Sequence, residues 1–208
     1  MTVTPLDEGT ALISNVRKIL PDIAERAERA ERERRVPTEN IEDLRRIGYL
    51  RAFIPAKYGG LELTPPEFGQ ATRLIAGSCA STAWATSLLS VHAHAIASFN
   101  PQLQEEIWGS DPDALVCSLV APVGKATPTD GGIRLSGRFS WSSGSEHAQW
   151  AFVGFSATGA SGGPEPHFAA LPRKDYAIDD VWYAMGLKGT GSQDLIVEDV
   201  FVPQHRIE

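Results

Sequence analysis

The feature that most constrains this chain is a change of apolar period near residue 113. Before it, apolar residues recur every three or four positions, as on one-sided helices; from Ala114 onward short apolar runs alternate with turn residues, as in strands. The order predicts an α+β multidomain chain: an N-terminal all-helical domain over residues 1–113, then a small antiparallel β-barrel or sandwich over residues 114–208. A ligand pocket is expected at the seam between them.

In the helical half, Leu12, Val16, Ile19, Leu20, Ile23, Ala27 and Ala30 share one face, and Pro21 is expected to kink this helix or to start its second segment. The pairs Glu25/Arg29, Glu28/Arg32 and Glu31/Arg35 read as a solvated charged face. Thr38 is placed to cap a short second helix that Gly48 ends, and Tyr49 to Leu63 reads as an ordered loop. Thr64-Pro65-Pro66-Glu67 combines a capping box with proline in the first turn, starting a helix that runs to about Gly77.

The next helix, Ala80 to Phe99, is the most apolar segment and is long enough to cross a bilayer, at roughly 30 Å. Its serines, threonines and two histidines, with no flanking Lys or Arg, argue for a buried helix instead. Ala85, Leu88, Leu89, His92, Ile96 and Phe99 form its apolar stripe, and Ser87, Ser90, His94 and Ser98 its polar side. His92 is thus expected to point inward, and His94 away from it, so the pair cannot share a metal. An inward histidine fits a core residue bonded to a backbone carbonyl as well as a functional one. Asn100-Pro101 opens a last short helix through Trp108.

In the second half, Leu115 to Val120, Ile133 to Ser136, Arg138 to Trp141, Ala148 to Phe155, His167 to Leu171 and Leu195 to Val202 read as strand material. Asp130-Gly131-Gly132 is a turn, and the Gly/Ser/Pro-rich stretch after Phe155 a long hairpin connection. Phe139-Ser140-Trp141-Ser142-Ser143-Gly144-Ser145-Glu146-His147 stands out, because packing alone does not ask for small hydroxyls behind a large aromatic. Ser142 and Ser143 beside an indole wall suit a flat, heteroatom-rich ligand, although a turn held by serine side chains would have the same composition.

Charge and motifs narrow the chemistry. With 19 Lys and Arg against 26 Asp and Glu the net charge is -7, which leaves no basic surplus for a nucleic-acid partner. Only Cys79 and Cys117 occur and the N-terminus does not resemble a secretory signal, so a cytoplasmic protein with reduced thiols is expected, with no membrane association. No phosphate loop or zinc spacing is present, and Gly186-Leu-Lys-Gly189-Thr-Gly191 departs from the dinucleotide fingerprint. The expected chemistry therefore belongs to an organic cofactor that the protein orients.

Several motifs then carry a family resemblance. They are Ala80-Ser81-Thr82-Ala83-Trp84, Trp108 to Pro112, Ser118-Leu-Val-Ala-Pro122, Trp141-Ser-Ser-Gly144 with His147 and Trp150, Ile178 to Trp182, Gly186 to Ser192, and Glu198 to Pro203, with Tyr58-Gly-Gly60 upstream. Jointly they resemble the N-terminal and middle domains of the acyl-CoA dehydrogenase fold. Within it they are most similar to the oxygenase components of two-component, reduced-flavin-dependent aromatic hydroxylases. Val120-Ala121-Pro122 stands where the dehydrogenases usually read Thr-Glu-Pro, which favours the hydroxylase branch.

The resemblance implies hydroxylation of a phenolic substrate with O2 through a flavin C4a-hydroperoxide. The cofactor it implies is reduced FMN, with FAD as the other form, delivered by a separate flavin reductase. It implies a homotetramer in full-length form, completed by a C-terminal four-helix bundle that these residues do not include. Catalytic roles fall on His92, as the base for the phenol, and on Ser143; Ser142 or Ser143 bonds flavin N5 behind Trp141. Leu119 and Val120 fall on the cofactor side, and Ser118 and Trp84 on the substrate side, although Trp84 shares a helix face with Leu88 and Val91 and also reads as packing. Two alternatives stay open: an acyl-CoA dehydrogenase with bound FAD, and a non-catalytic fragment or assembly module of this fold.

Overall fold

The computed structural model describes residues 7–158 and 163–208. Six helices come first: α1 (Glu8–Glu25), α2 (Ala27–Glu33), α3 (Thr38–Arg46), α4 (Pro65–Ser78), α5 (Ala80–Ile96) and α6 (Pro101–Trp108). Six strands follow: β1 (Val116–Thr129), β2 (Gly132–Ser142), β3 (Trp150–Thr158), β4 (Pro164–Pro172), β5 (Ala177–Asp179) and β6 (Gln193–Pro203). They form one sheet in the order β4-β3-β1-β2-β6-β5. This is the expected helical part followed by a mostly antiparallel β part, and one continuous apolar core runs through both.

One strand pair is not antiparallel: β1 and β3 run parallel. The chain goes out along β1, returns along β2 through the turn at Asp130-Gly131, and goes out again as β3 on the other side of β1. Periodicity identifies strands but carries no information about which neighbour each one meets. β3 and β4 pair as the expected hairpin, from Trp150 opposite Pro172 to Thr158 opposite Pro164. Residues 159–162, the middle of the predicted connection, lie outside the described residues.

The helix starts follow local hydrogen bonding. Asp7 caps α1 by accepting from the Thr10 N–H at 2.8 Å, and Asn100 caps α6 by accepting from the Gln102 N–H at 2.9 Å. At α4 the predicted capping box is present: Glu67 Oε2 accepts from the Thr64 N–H at 2.9 Å and its hydroxyl at 2.6 Å. Gly48 ends the α3 region at φ 82, a left-handed conformation that costs glycine little.

Four expectations are corrected. Pro21 does not start the second segment, which begins only after Arg26; it lies inside α1. Pro37 rather than Thr38 is the N-cap of α3. Ser90 is buried on α5, because its hydroxyl and that of Thr86 donate to carbonyls one turn back, at 2.9 and 2.7 Å, which lets this face enter the core without orphaned donors. The charged face of α1 and α2 is not merely solvated, and among the described residues none of its three predicted pairs forms.

Its charges instead tie α2 to distant segments, because the helix breaks at Arg26 and ends at Arg34 in a left-handed turn. Arg26 donates to Asp43 at 2.7 Å and Arg34 binds Asp180 at 2.6 Å through both terminal nitrogens. Glu31 accepts from the Ser81 hydroxyl, the Lys188 N–H at 3.0 Å and the Gly189 N–H at 3.1 Å. Burial pushes its carboxyl up, but these donors outweigh that and hold it below the usual range. The carboxylate thereby fixes the Lys188–Thr190 turn against α2 and α5.

Candidate active site

α5 and β1 together build the first part of the site. His92 sits half-buried on α5, facing β1: its Nδ1 lies 2.9 Å from the Val116 carbonyl and its Nε2 lies 2.6 Å from Ser118 Oγ. The carbonyl can only accept, so Nδ1 carries the proton, and neutral His92 then accepts the Ser118 hydroxyl proton at Nε2. Desolvation lowers the His92 pKa below 6.5, with the Val116 contact opposing it, so the neutral ring is favoured. Ser118 and His92, expected separately, are brought together into one directed pair.

The second part is a recess of about 240 Å³ lined by Trp84, Trp141, Trp182, Leu187, Thr190 and Ser192. Trp84 does not pack into the core: it is 54% exposed and donates from Nε1 to Ser143 Oγ at 3.2 Å. Being on one face with Val91, also exposed, it belongs to a helix surface that the core leaves open. Trp84 and His92 are eight positions apart on α5, so about 12 Å of helix separates the recess from the histidine pair.

Trp141 is 71% exposed and adopts φ 68, unusual for a residue with a side chain. It sits where the β2–β6 register shifts between Phe139 and Ser142. The buried Asp194 carboxylate holds this shape by accepting from the Trp141 N–H at 3.2 Å, the Ser140 hydroxyl at 3.0 Å and Arg138 Nε at 2.6 Å. The bulge turns the indole outward and the next side chain inward.

Ser142 and Ser143, indistinguishable in sequence, are therefore placed differently. Ser142 is fully buried and its hydroxyl has no hydrogen-bond partner; it lies on the core side with the buried Cys117, whose thiol burial pushes up to about 11. Ser143 lies directly behind the recess lining, bonded to it on two sides: it accepts from Trp84, and its Oγ is 2.7 Å from Ser192 Oγ, which is 2.7 Å from Thr190 Oγ1, which donates to the Leu187 carbonyl at 2.9 Å.

Leu119 and Val120 lie where β1 leaves the β3 ladder. Leu119 pairs with Val153 and Gly124 with Phe155, so Val120 to Val123 bulge over the single residue Gly154. Leu119 is half-buried against the core and Val120 is 55% exposed. Sequence reasoning does not single out Trp182, Leu187, Thr190 and Ser192 as site residues. Their signal is in the two segments Ile178 to Trp182 and Gly186 to Ser192, but only the fold brings these beside α5 and β2.

The recess suits a flat aromatic group: it has three indole rings, one aliphatic side chain and a floor of small hydroxyls. Among the described residues no cluster of His, Cys, Asp or Glu could hold a metal, and no helix is long and apolar enough to cross a membrane.

Comparison with known proteins gives this geometry a setting. The chain is 49% identical to the p-hydroxyphenylacetate 3-hydroxylase oxygenase component of Acinetobacter baumannii, over 98% of this chain and 48% of that protein. It is 40% identical to the flavin-dependent monooxygenase oxygenase subunit HsaA of Mycobacterium tuberculosis, over 99% of this chain and 52% of that protein. The crystal structure of HsaA superposes with a TM-score of 0.92 over 96% of this chain and 54% of that one. XiaF from Streptomyces sp., in complex with FADH2 and glycerol, superposes with a TM-score of 0.90 at 28% identity, over 96% of this chain and 51% of that one. The chain thus spans about half the length of the curated relatives it matches. The model of the acyl-CoA dehydrogenase N-terminal domain matches residues 7–110, half of the chain, and the protein belongs to that family.

Proposed function

We propose that these residues form part of the oxygenase component of a two-component flavin-dependent monooxygenase that hydroxylates a phenolic substrate. The observation that carries this reading is the His92–Ser118 pair, a neutral imidazole whose Nε2 accepts from a half-buried hydroxyl at 2.6 Å. A phenol O–H donating to Ser118 Oγ has a path for its proton through one hydroxyl to Nε2, and a phenolate is far more reactive towards an electrophilic oxygen than the phenol. The Val116 carbonyl bonded to Nδ1 orients the ring and stabilises the imidazolium that forms.

The residues also fit the cofactor. Trp84, Trp141 and Trp182 offer faces for an isoalloxazine ring, and Ser143, with Ser192 and Thr190, offers hydroxyl oxygens at its polar edge. Ser143 rather than Ser142 is the N5 partner, since Ser142 lies in the core. Reduced flavin, when bound, supplies the activation of O2, and the recess limits water around it. Reduced FMN is our reading, and FADH2, which XiaF binds, is the competing form. Leu119 and Val120 lie on the cofactor side and Trp84 between cofactor and substrate.

The partners proposed are a separate flavin reductase, an aromatic substrate and O2, in a cytoplasmic homotetramer. The hydroxylase names of the relatives favour this over a dehydrogenase with bound FAD. The test mixes the full chain with chemically reduced FMN or FAD, oxygen and a panel of simple phenols. Catechol formation is expected; failure to bind either reduced flavin, or reduction of a bound FAD by acyl-CoA, would remove the proposal.

A further inference from the structure

The hydroxyls beneath the tryptophan recess have only one proton each, and their partners fix where every proton goes. The Leu187 carbonyl accepts from Thr190 Oγ1 at 2.9 Å, so the Thr190 proton is committed there. Thr190 can then only accept from Ser192 across their 2.7 Å contact, and Ser192 can only accept from Ser143 across theirs, also 2.7 Å. Trp84 Nε1–H, which can only donate, points to Ser143 Oγ at 3.2 Å and closes the series at its other end. The donors thus run one way, from Trp84 through Ser143, Ser192 and Thr190 to Leu187. Ser143, Ser192 and Thr190 are all buried, so each hydroxyl is held chiefly by its protein partners.

We infer that Ser192 and Thr190 are positioning residues that make the floor of the recess a hydrogen-bond acceptor only, and that this floor selects the reduced over the oxidised state of a bound flavin. The inference rests on the flavin reading proposed for this recess. Reduced isoalloxazine carries a proton on N5 and can donate it to Ser143 Oγ, taking the place of the Trp84 N–H. Oxidised isoalloxazine presents only a lone pair at N5, which then faces the lone pairs of Ser143. If the Ser143 proton were free, the hydroxyl would rotate to serve either state equally. The selectivity therefore lies in the residues behind Ser143. An acceptor-only floor suits a protein that must take up flavin after its reduction elsewhere and release it once oxidised.

The test measures the affinity of the full chain for oxidised FMN and, anaerobically, for dithionite-reduced FMN, by quenching of tryptophan fluorescence. The wild-type chain should bind the reduced form more tightly. Ser192→Ala frees the Ser143 proton and should lower the ratio of oxidised to reduced Kd about tenfold, the size of one mismatched hydrogen bond. For a two-electron couple this lowers the potential of the bound flavin by about 30 mV. Thr190→Val, which removes the acceptor that holds the Ser192 proton, should change the ratio in the same direction, and Ser192→Thr, which keeps the hydroxyl, should leave it unchanged. An unchanged ratio in both Ser192→Ala and Thr190→Val, with flavin still bound, overturns the inference alone. Equal weakening of both states points to a merely structural role and overturns it too. A wild-type chain that binds neither state overturns the flavin reading and this inference together.

Discussion

As the proposed base for the phenol, His92 acts through a proton it does not hold in the resting protein. Its His92→Ala variant should lower phenol hydroxylation by roughly 10²–10⁴-fold, the usual size of general-base catalysis, while titration with reduced flavin shows unchanged affinity. Because desolvation depresses its pKa, the neutral base persists below 6.5, and the acid limb of the kcat/KM profile should lie below that value. The stability that goes with keeping the ring neutral is present above 6.5 and is lost as pH falls from there through the lowered folded value. Neighbouring serines separate in the same way. Ser142→Ala removes a buried hydroxyl that faces the Cys117 thiol without a well-formed hydrogen bond, so urea unfolding should show a change of about 1 kcal/mol or less, whereas Ser143→Ala should weaken reduced-flavin binding. In sequence the two serines are equivalent, and the left-handed turn at Trp141 decides which one meets the recess.

At the level of elements, the turn at Lys188–Thr190 depends on its contact with α2 and α5. A Cβ on Gly189 would lie 2.9 Å from backbone and side-chain carbons of Ala30 and from Ser81 Cβ. Gly189→Ala should therefore push the turn off both helices, lowering the unfolding free energy by about 1–3 kcal/mol in urea titration and loosening the hydroxyl series that ends at Thr190. Most of the elements themselves are legible in the sequence. The capping box at Thr64 and Glu67, the glycine stop at Gly48 and the stripe through Leu12, Val16, Ile19 and Ile23 each act within one or two helical turns, so local sequence specifies them. Ser90 and Glu31 are misread because their partners or their burial come from elsewhere: polarity alone sends both to solvent.

For the whole molecule, the helical and β parts are joined by charge as well as by their common core. Arg51 binds Asp113 through Nε and a terminal nitrogen, each at 2.7 Å, and so fixes the segment that leads into β1 and Ser118. Arg51 holds the Asp113 carboxyl below its ordinary 3.8, so this stabilisation is present above that value and is lost as pH falls through the lowered one. Both side chains are partly solvated, so Asp113→Asn should cost only about 1 kcal/mol or less at neutral pH. Urea titrations of the two proteins should converge in acid.

What the sequence determined by itself was the order of the helices and of the strands other than β5, most of the caps and turns between them, and the kinds of side chain available to a flat cofactor and a phenol. These depend on period, on backbone conformation and on residue chemistry, all of which are local. Only the tertiary structure decided that β1 lies parallel to β3, that His92 and Ser118 share a proton, and that Trp84, Trp141 and Trp182 face one recess. Contacts between positions far apart in the chain follow from how whole faces pack, and a hydroxyl acquires a direction only when its neighbours in space are known.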